Sequence, residues 1–352
     1  MNKEFLGVIV LFLILSCGGQ GQSNSFVTEE DMTVIEGKEF STSLNLKSAK
    51  NLYLIGSNLI IADKYDGKLL TRIELSSPDS VHRQLNVGNG PDEFMKVSGI
   101  FSLPSENEVC IFDNAKRMLF FYSLSDNLDI SSKTRLKSVY LGNDHMFYSV
   151  MPFGDDYVAS GNFDGNLLAW VDSSMTVRQV FGLFPGDKTD VNAGDFYLKN
   201  QILMISDVNF SYCMAAGIYN DWIAFFKKGT DGFVLQKEYF YTDSELLSIN
   251  ESKGDRHFHS IRETEKTRRA YRSSFASDKF FYALYWGIPS KTMSNEDQPC
   301  YIYRFTLDGR FKDGWIVPFL LQSFVVDEPE STLYGLTYSQ LKEERLLKFN
   351  LL

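Results

Sequence analysis

The chain has 352 residues, 44 % of them hydrophobic and 23 % charged. That balance supplies a packed core and excludes a largely disordered chain. A formal net charge of −10 repels polyanions, which argues against nucleic acid or anionic headgroups as the main partner.

Met1-Asn2-Lys3 is a short positive start, and Phe5 to Leu15 is an apolar run of 11 residues broken only by Gly7. The run is too short to cross a hydrocarbon core of ~30 Å as a helix and suits a secretory signal. It ends Ile14-Leu15-Ser16-Cys17-Gly18, which resembles the lipobox of bacterial lipoproteins. The resemblance implies cleavage before Cys17, a diacylglyceryl group on its thiol and acylation of the new amine. More than one acyl chain makes such an anchor stable. Residues 1–16 are therefore expected to be a signal and 17–25, rich in Gly, Ser, Asn and Gln, a flexible tether. Residues 26–352 are expected to form one folded unit held in the cell envelope, at the outer membrane, by the lipid on Cys17. No acidic cluster follows the cysteine, and the membrane face stays open.

From there the chain is short β-branched and aromatic runs separated by Gly, Asp, Asn and Pro, with little helical periodicity, the pattern of an all-β protein. One unit recurs. Asn51 to Gly56, Leu59 to Asp63, a turn at Asp66-Gly67 and Leu69 to Leu75 make the first copy. Val97 to Leu103, Glu108 to Asp113 and Met118 to Leu124 make the second; Ser149 to Phe153, Asp156 to Ser160, a turn at Asp164-Gly165, Leu167 to Val171 and Thr176 to Phe181 make the third. Looser copies follow at 201–241, 275–317 and 319–352. Such a unit buries its two faces only against further copies, which predicts a six-bladed β-propeller. The alternating segment Met32 to Leu46 has no partner of its own and is expected to lend a strand to the last blade, closing the ring.

Between the first two copies stands Gly88-Asn89-Gly90-Pro91-Asp92-Glu93-Phe94. It resembles the G-x-G-P-x-E-F/Y signature of the TolB-like six-bladed propeller family of bacterial envelope lipoproteins. Phe281 to Gly287, which contains Trp286, is similar to that family's aromatic strand ending in glycine. The resemblance implies a six-bladed fold and an envelope location, and it brings no catalytic residues. Physically, Gly88 and Gly90 are expected to adopt positive φ, Pro91 to stiffen the connection, Glu93 to accept backbone N–H bonds and Phe94 to pack between blades.

Reactive constellations are few. After Cys17 the cysteines are Cys110, Cys213 and Cys300, an odd number without C-x-x-C spacing, so no zinc site or disulfide framework is expected. Asp190-x-Asn192-x-Gly194-Asp195 alternates oxygen ligands as calcium loops do but lacks the full spacing and the bidentate Glu. Gly182 to Thr189 has the wrong glycine spacing for a P-loop. His257-Phe258-His259 has a spacing that can hold a metal, yet the two imidazoles stand in a charged tract without evident further ligands. No metal site and no cofactor are expected. Asp63, Asp113 and Asp164 stand at comparable places in three copies and read as turn caps.

The strongest local contrast lies in Asp243 to Ser273, read as an irregular or helical insertion. Lys253 to Arg272 holds seven Lys/Arg against three acids in an acidic chain. Set over the propeller mouth, Arg256, His257, His259, Arg262, Arg268, Arg269 and Arg272, with Trp286 nearby, are the candidate ligand contacts, suited to carboxylate or phosphate groups. The functional expectation is a non-catalytic envelope module that binds a protein or glycan. The alternative is a propeller enzyme acting on saccharides or lactones with axial acids or a metal.

Overall fold

The computed structural model describes residues 32–41, 43–104, 108–124, 130, 133–142, 147–183, 200–240, 246–253, 256–290, 298–338 and 344–352. Signal, lipidation site, tether and the 190–195 segment lie outside these residues.

Six sheets form the ring of a β-propeller, each blade an antiparallel meander counted outward from the axis. Blade 1 is β3 (Ala49–Ile55), β4 (Asn58–Tyr65), β5 (Lys68–Glu74) and β6 (Ser77–Val87), with the short β7 (Glu93–Phe94) parallel to β6. Blade 2 is β8 (Val97–Ser102), β9 (Glu108–Asp113), β10 (Met118–Ser123) and β11 (Arg135–Tyr140). Blade 3 is β12 (Phe147–Phe153), β13 (Asp156–Phe163), β14 (Asn166–Val171) and β15 (Val177–Leu183). Blade 4 is β16 (Ile202–Ser206), β17 (Tyr212–Gly217), β18 (Ile223–Lys228) and β19 (Phe233–Tyr239). Blade 5 follows with β22 (Arg268–Ala276), β23 (Phe280–Pro289), β24 (Cys300–Thr306) and β25 (Phe311–Val317), and blade 6 with β26 (Leu321–Asp327), β27 (Thr332–Thr337) and β28 (Leu346–Asn350).

The N-terminal segment closes the ring, as its lack of a local partner predicts. β2 (Gly37–Glu39) pairs antiparallel with β28 as the outermost strand of blade 6. Just before it, β1 (Met32–Val34) pairs parallel with β25, so one segment covers the outer edges of two neighbouring blades.

Local chemistry explains the meander. Asp66-Gly67 and Asp164-Gly165 both have positive φ at each residue (48° and 75°, 52° and 88°), the two-residue hairpin geometry that Asp-Gly favours. Packing explains why the inner strands read as continuous apolar runs instead of alternating ones. Ile60 and Ala62 of β4 pack toward blade 2, whereas Leu59 and Ile61 pack toward blade 6. On β9, Val109 and Ile111 face blade 1 and Cys110 and Phe112 face blade 3. Each of the six buried clusters is the interface between two adjacent blades. Rings fill these interfaces edge to face or offset: Phe153 and Phe233, centroids 4.9 Å apart, join blades 3 and 4, and Phe225 and Phe305, 5.0 Å apart, join blades 4 and 5. Cys110, Cys213 and Cys300 are buried free thiols on blades 2, 4 and 5.

Three expectations need correction. The region after residue 243 is neither helical nor irregular where it is described: β20 (Leu246–Lys253) and β21 (Arg256–Glu263) form a β-hairpin between blades 4 and 5. The insertion also ends earlier, because residues from Arg268 onward belong to β22, the innermost strand of blade 5. Finally, Asp164 corresponds to Asp66 in the hairpin turn, not to Asp63. Asp63 and Asp113 are the true equivalents: each is buried at the end of its blade's second strand, and each accepts N–H bonds from the segment entering the first strand. Ser48 N donates to Asp63 Oδ1 at 2.8 Å and Met95 N to Asp113 Oδ2 at 2.7 Å.

Candidate functional site

The innermost strands share an irregularity that fixes the site. Ala49 pairs with Asp63 and Asn51 with Ala62, so Lys50 is an extra residue in β3. The same count leaves Ser98 extra in β8, Tyr148 in β12, Arg272 in β22 and Gln322 in β26. A bulge re-aims its side chain and bends the strand. Recurring at one level in five blades, it sets Lys50, Ser98, Tyr148, Arg272 and Gln322 around the axis. The level is the end at which the interblade connections enter and where the β20–β21 hairpin is inserted.

On one side of the ring these residues touch. Arg272 Nε donates to Gln322 Oε1 at 3.4 Å, and Gln322 Nε2 donates to the Lys50 carbonyl at 3.3 Å, linking blades 5, 6 and 1. One step deeper, Ser273 Oγ lies 3.1 Å from Ser323 Oγ, which accepts from Leu52 N at 3.0 Å. The inner strand edges of these three blades are thus bridged below the mouth.

The cations of β22 differ sharply in their partners. Arg268 reaches the Gly287 carbonyl at 2.6 Å through Nη2. Arg269 is paired with Glu263, the last residue of β21, and lies over the Tyr219 ring at 4.8 Å from its centroid. Arg272 has no carboxylate partner among the described residues. Its guanidinium lies 5.3 Å from the Trp286 ring centroid. Burial, and then the charge of Arg269, push its pKa below the usual arginine value. Only Nε of the guanidinium has a hydrogen bond, and neither Nη1 nor Nη2 is among the fully buried unpaired atoms. The terminal fork therefore opens to solvent at the mouth.

The sequence candidates are distributed as follows. Arg268, Arg269 and Arg272 come together on β22. Arg262 is exposed on β21, opposite Leu247. Arg256, His257 and His259 pair through their backbones with Lys253, Ser252 and Asn250; their side chains lie outside the described residues. Trp286 is 1 % exposed and donates its indole N–H to the Leu321 carbonyl at 2.8 Å, so its ring acts as the shelf beneath Arg272. Lys50, Tyr219, Gln322 and Tyr338, whose ring meets Trp286 edge-on at 4.8 Å, were not singled out by sequence. Their places depend on register and blade order, which no local motif carries. No group of three or more His, Cys, Asp or Glu side chains arranged to hold a metal occurs among the described residues.

Two cavities frame the mouth. One of about 400 Å³ adjoins it, lined by Arg268, Tyr285, Trp286, Gly287, Tyr301 and Tyr303. The larger, about 710 Å³, opens on the opposite face between blades 5 and 6, with Tyr282, Arg304, Trp315 and Glu328 in its wall. Its charges are internally matched: Arg304 Nε bonds Asp313 Oδ1 at 2.7 Å, and Glu328 Oε1 accepts from Tyr282 at 2.5 Å and Ser277 at 2.7 Å. The axial mouth is the place where a cation faces solvent with its fork unoccupied.

The Gly88–Phe94 heptapeptide is built for packing. Gly90 N donates to Glu93 Oε2 at 2.8 Å, Lys116 Nζ binds the Gly90 and Glu93 carbonyls at 2.7 and 2.6 Å, and Phe94 is 1 % exposed against Phe120. Arg135 Nη1 reaches the Pro91 carbonyl at 2.8 Å. The glycines do not adopt positive φ, contrary to expectation; they are required because the Glu93 carboxylate occupies the space of a side chain at both positions.

No family model and no curated protein matches the sequence. Solved propellers match its fold. A Bacteroides fragilis protein named as exported shares 11 % identity at a TM-score of 0.56, covering 92 % of this chain and 96 % of its own. A duf4221 family member from Bacteroides vulgatus shares 9 % at 0.54, covering 91 % and 98 %. An auxiliary nutrient binding protein from Bacteroides thetaiotaomicron shares 10 % at 0.50, covering 87 % and 69 %. At these identities the likeness is one of fold.

Proposed function

We propose that this chain is a lipid-anchored envelope propeller that holds a protein or glycan partner at its axial mouth and does not transform it. The observation that carries this reading is Arg272: a recessed, oriented cation with its fork open, encircled by the hydrogen-bonding groups of Lys50, Ser98, Tyr148 and Gln322. Such a convergence of a few polar groups in a concavity is what binding sites are made of. Support for the envelope location comes from the lipobox-like Ile14 to Gly18, from the TolB-like heptapeptide, and from neighbours whose names include exported and nutrient-binding proteins.

The test uses the full chain in its native envelope. A photo-crosslinking residue at Lys50 or Tyr219 is expected to trap an envelope component, and the same residue at Asp278 on the opposite face is not. Cys17→Ala is expected to abolish metabolic labelling with palmitate. Equal trapping from both faces, or from neither, overturns the mouth as the binding site.

A further inference from the structure

We infer that the axial mouth is a carboxylate subsite and that its ligand is an acidic sugar of the uronate type. This deepens the binding reading above and rests on it.

The chemistry starts from the guanidinium. Arginine presents parallel N–H donors that match a carboxylate two to two, and stacking on an aromatic face keeps that fork flat. Arg272 has the stacking through Trp286 and lacks the carboxylate. Its neighbour Arg269 already has one in Glu263, so the pair carries one uncompensated positive charge inside a chain of net charge −10. Leaving a recessed charge unpaired costs free energy. An incoming carboxylate completes the pair in the setting where charge-assisted bonds are strong.

The surroundings favour a sugar over a peptide. Peptides commonly join propellers or other sheets by adding a strand to an open edge or by filling apolar pockets. Here the inner edges of blades 5, 6 and 1 are bridged by Ser273, Ser323 and Leu52 N. The mouth instead offers an amide at Gln322, a hydroxyl at Ser98 and the Lys50 ammonium. Beside it lies the 400 Å³ slot with Tyr285, Tyr301 and Tyr303 in its wall, a volume within the usual range for small-ligand sites of roughly 300–1,000 Å³. Flat phenol rings and hydrogen-bonding groups fit a pyranose ring, and the free fork fits its carboxylate.

The experiment is calorimetric titration of the full chain, in detergent, with trimeric galacturonate, its methyl ester, a short peptide with a free C-terminal carboxylate, and inorganic phosphate. The acid trimer is expected to bind, and the ester, which differs only in lacking the charge, to bind about ten- to hundredfold more weakly. Arg272→Gln is expected to erase that difference. Arg272→Lys, which keeps the charge and the packing stem, is expected to recover only part of it and guards against a folding defect in the first variant. Equal binding of acid and ester, tighter binding of the peptide or phosphate, or unchanged preference in Arg272→Gln overturns the proposal. If crosslinks from Lys50 trap a partner that galacturonate does not displace, the binding reading stands and this inference falls.

Discussion

Glu93 Oε2 stands 2.0 Å from the point where a Cβ on Gly88 would lie, and 3.0 Å from the same point on Gly90. The carboxylate that ties the blade 1–blade 2 connection together therefore dictates a glycine at one position and tolerates little more at the other. Gly88→Ala is expected to destabilise the fold by about 1–3 kcal/mol, the usual cost of overpacking a tight site, and Gly90→Ala by less. Urea unfolding of both variants checks the order. Equal costs would show that backbone freedom, not the carboxylate, sets the requirement.

Asp113 is buried and accepts from Met95 N at 2.7 Å and Lys116 N at 3.1 Å. Asp113→Ala leaves two N–H groups without that acceptor, at about 1–3 kcal/mol for each one left dry. Asp164→Gly, at a turn residue with φ of 52°, is expected to change stability little. Comparing the two melts separates the cap from the turn.

Asp172 is held at a pKa of about 2, first by the Ser174 hydroxyl and then by backbone N–H groups, that of Thr176 foremost, with Arg178 adding its charge. A folded-state value below the unfolded value of ~3.9 means that the stabilisation is present above about pH 4. It is lost as pH falls toward about 2. Asp172→Asn is expected to flatten the stability curve within that window and to leave its shape above pH 5 unchanged. Chemical denaturation at stepped pH measures it.

A Cβ on Gly37 would meet the Phe349 ring at 2.6 Å, at the pairing of β2 with β28. Gly37→Ala is expected to loosen the closing strand, lowering the melting temperature and promoting self-association through the freed edge. Val34→Ala, on the exposed face of β1 at 63 % exposure, serves as the near-silent control. Size-exclusion chromatography and thermal melts on the pair distinguish a closure effect from a general one.

The ring itself was legible because period and turn chemistry are local: the Asp-Gly hairpins announce themselves, and a strand that is apolar on both faces belongs between two others. The partnerless Met32–Leu46 segment pointed to ring closure for the same reason. What stayed hidden depends on register. Nothing near Lys50, Ser98, Tyr148 or Gln322 signals that each is the extra residue of a bulge at one level of the axis. The cluster Arg268, Arg269 and Arg272 read as part of a solvated insertion because a charged tract ran unbroken from the hairpin into an inner strand. Only the three-dimensional pairing shows that Arg269 is neutralised by Glu263 and that Arg272 is not.

The placement of β1 before β2 has a mechanical consequence. A pull on the chain ahead of Met32 reaches the outer edge of blade 5 first, where three residues of β1 lie alongside β25. Those bonds bear the load before any force arrives at Gly37–Glu39, whose pairing with β28 keeps the circle shut. β1 thus works as a strain relief: it can slip and re-seat while the ring stays whole, so a tugged tether need not unfasten the molecule it holds.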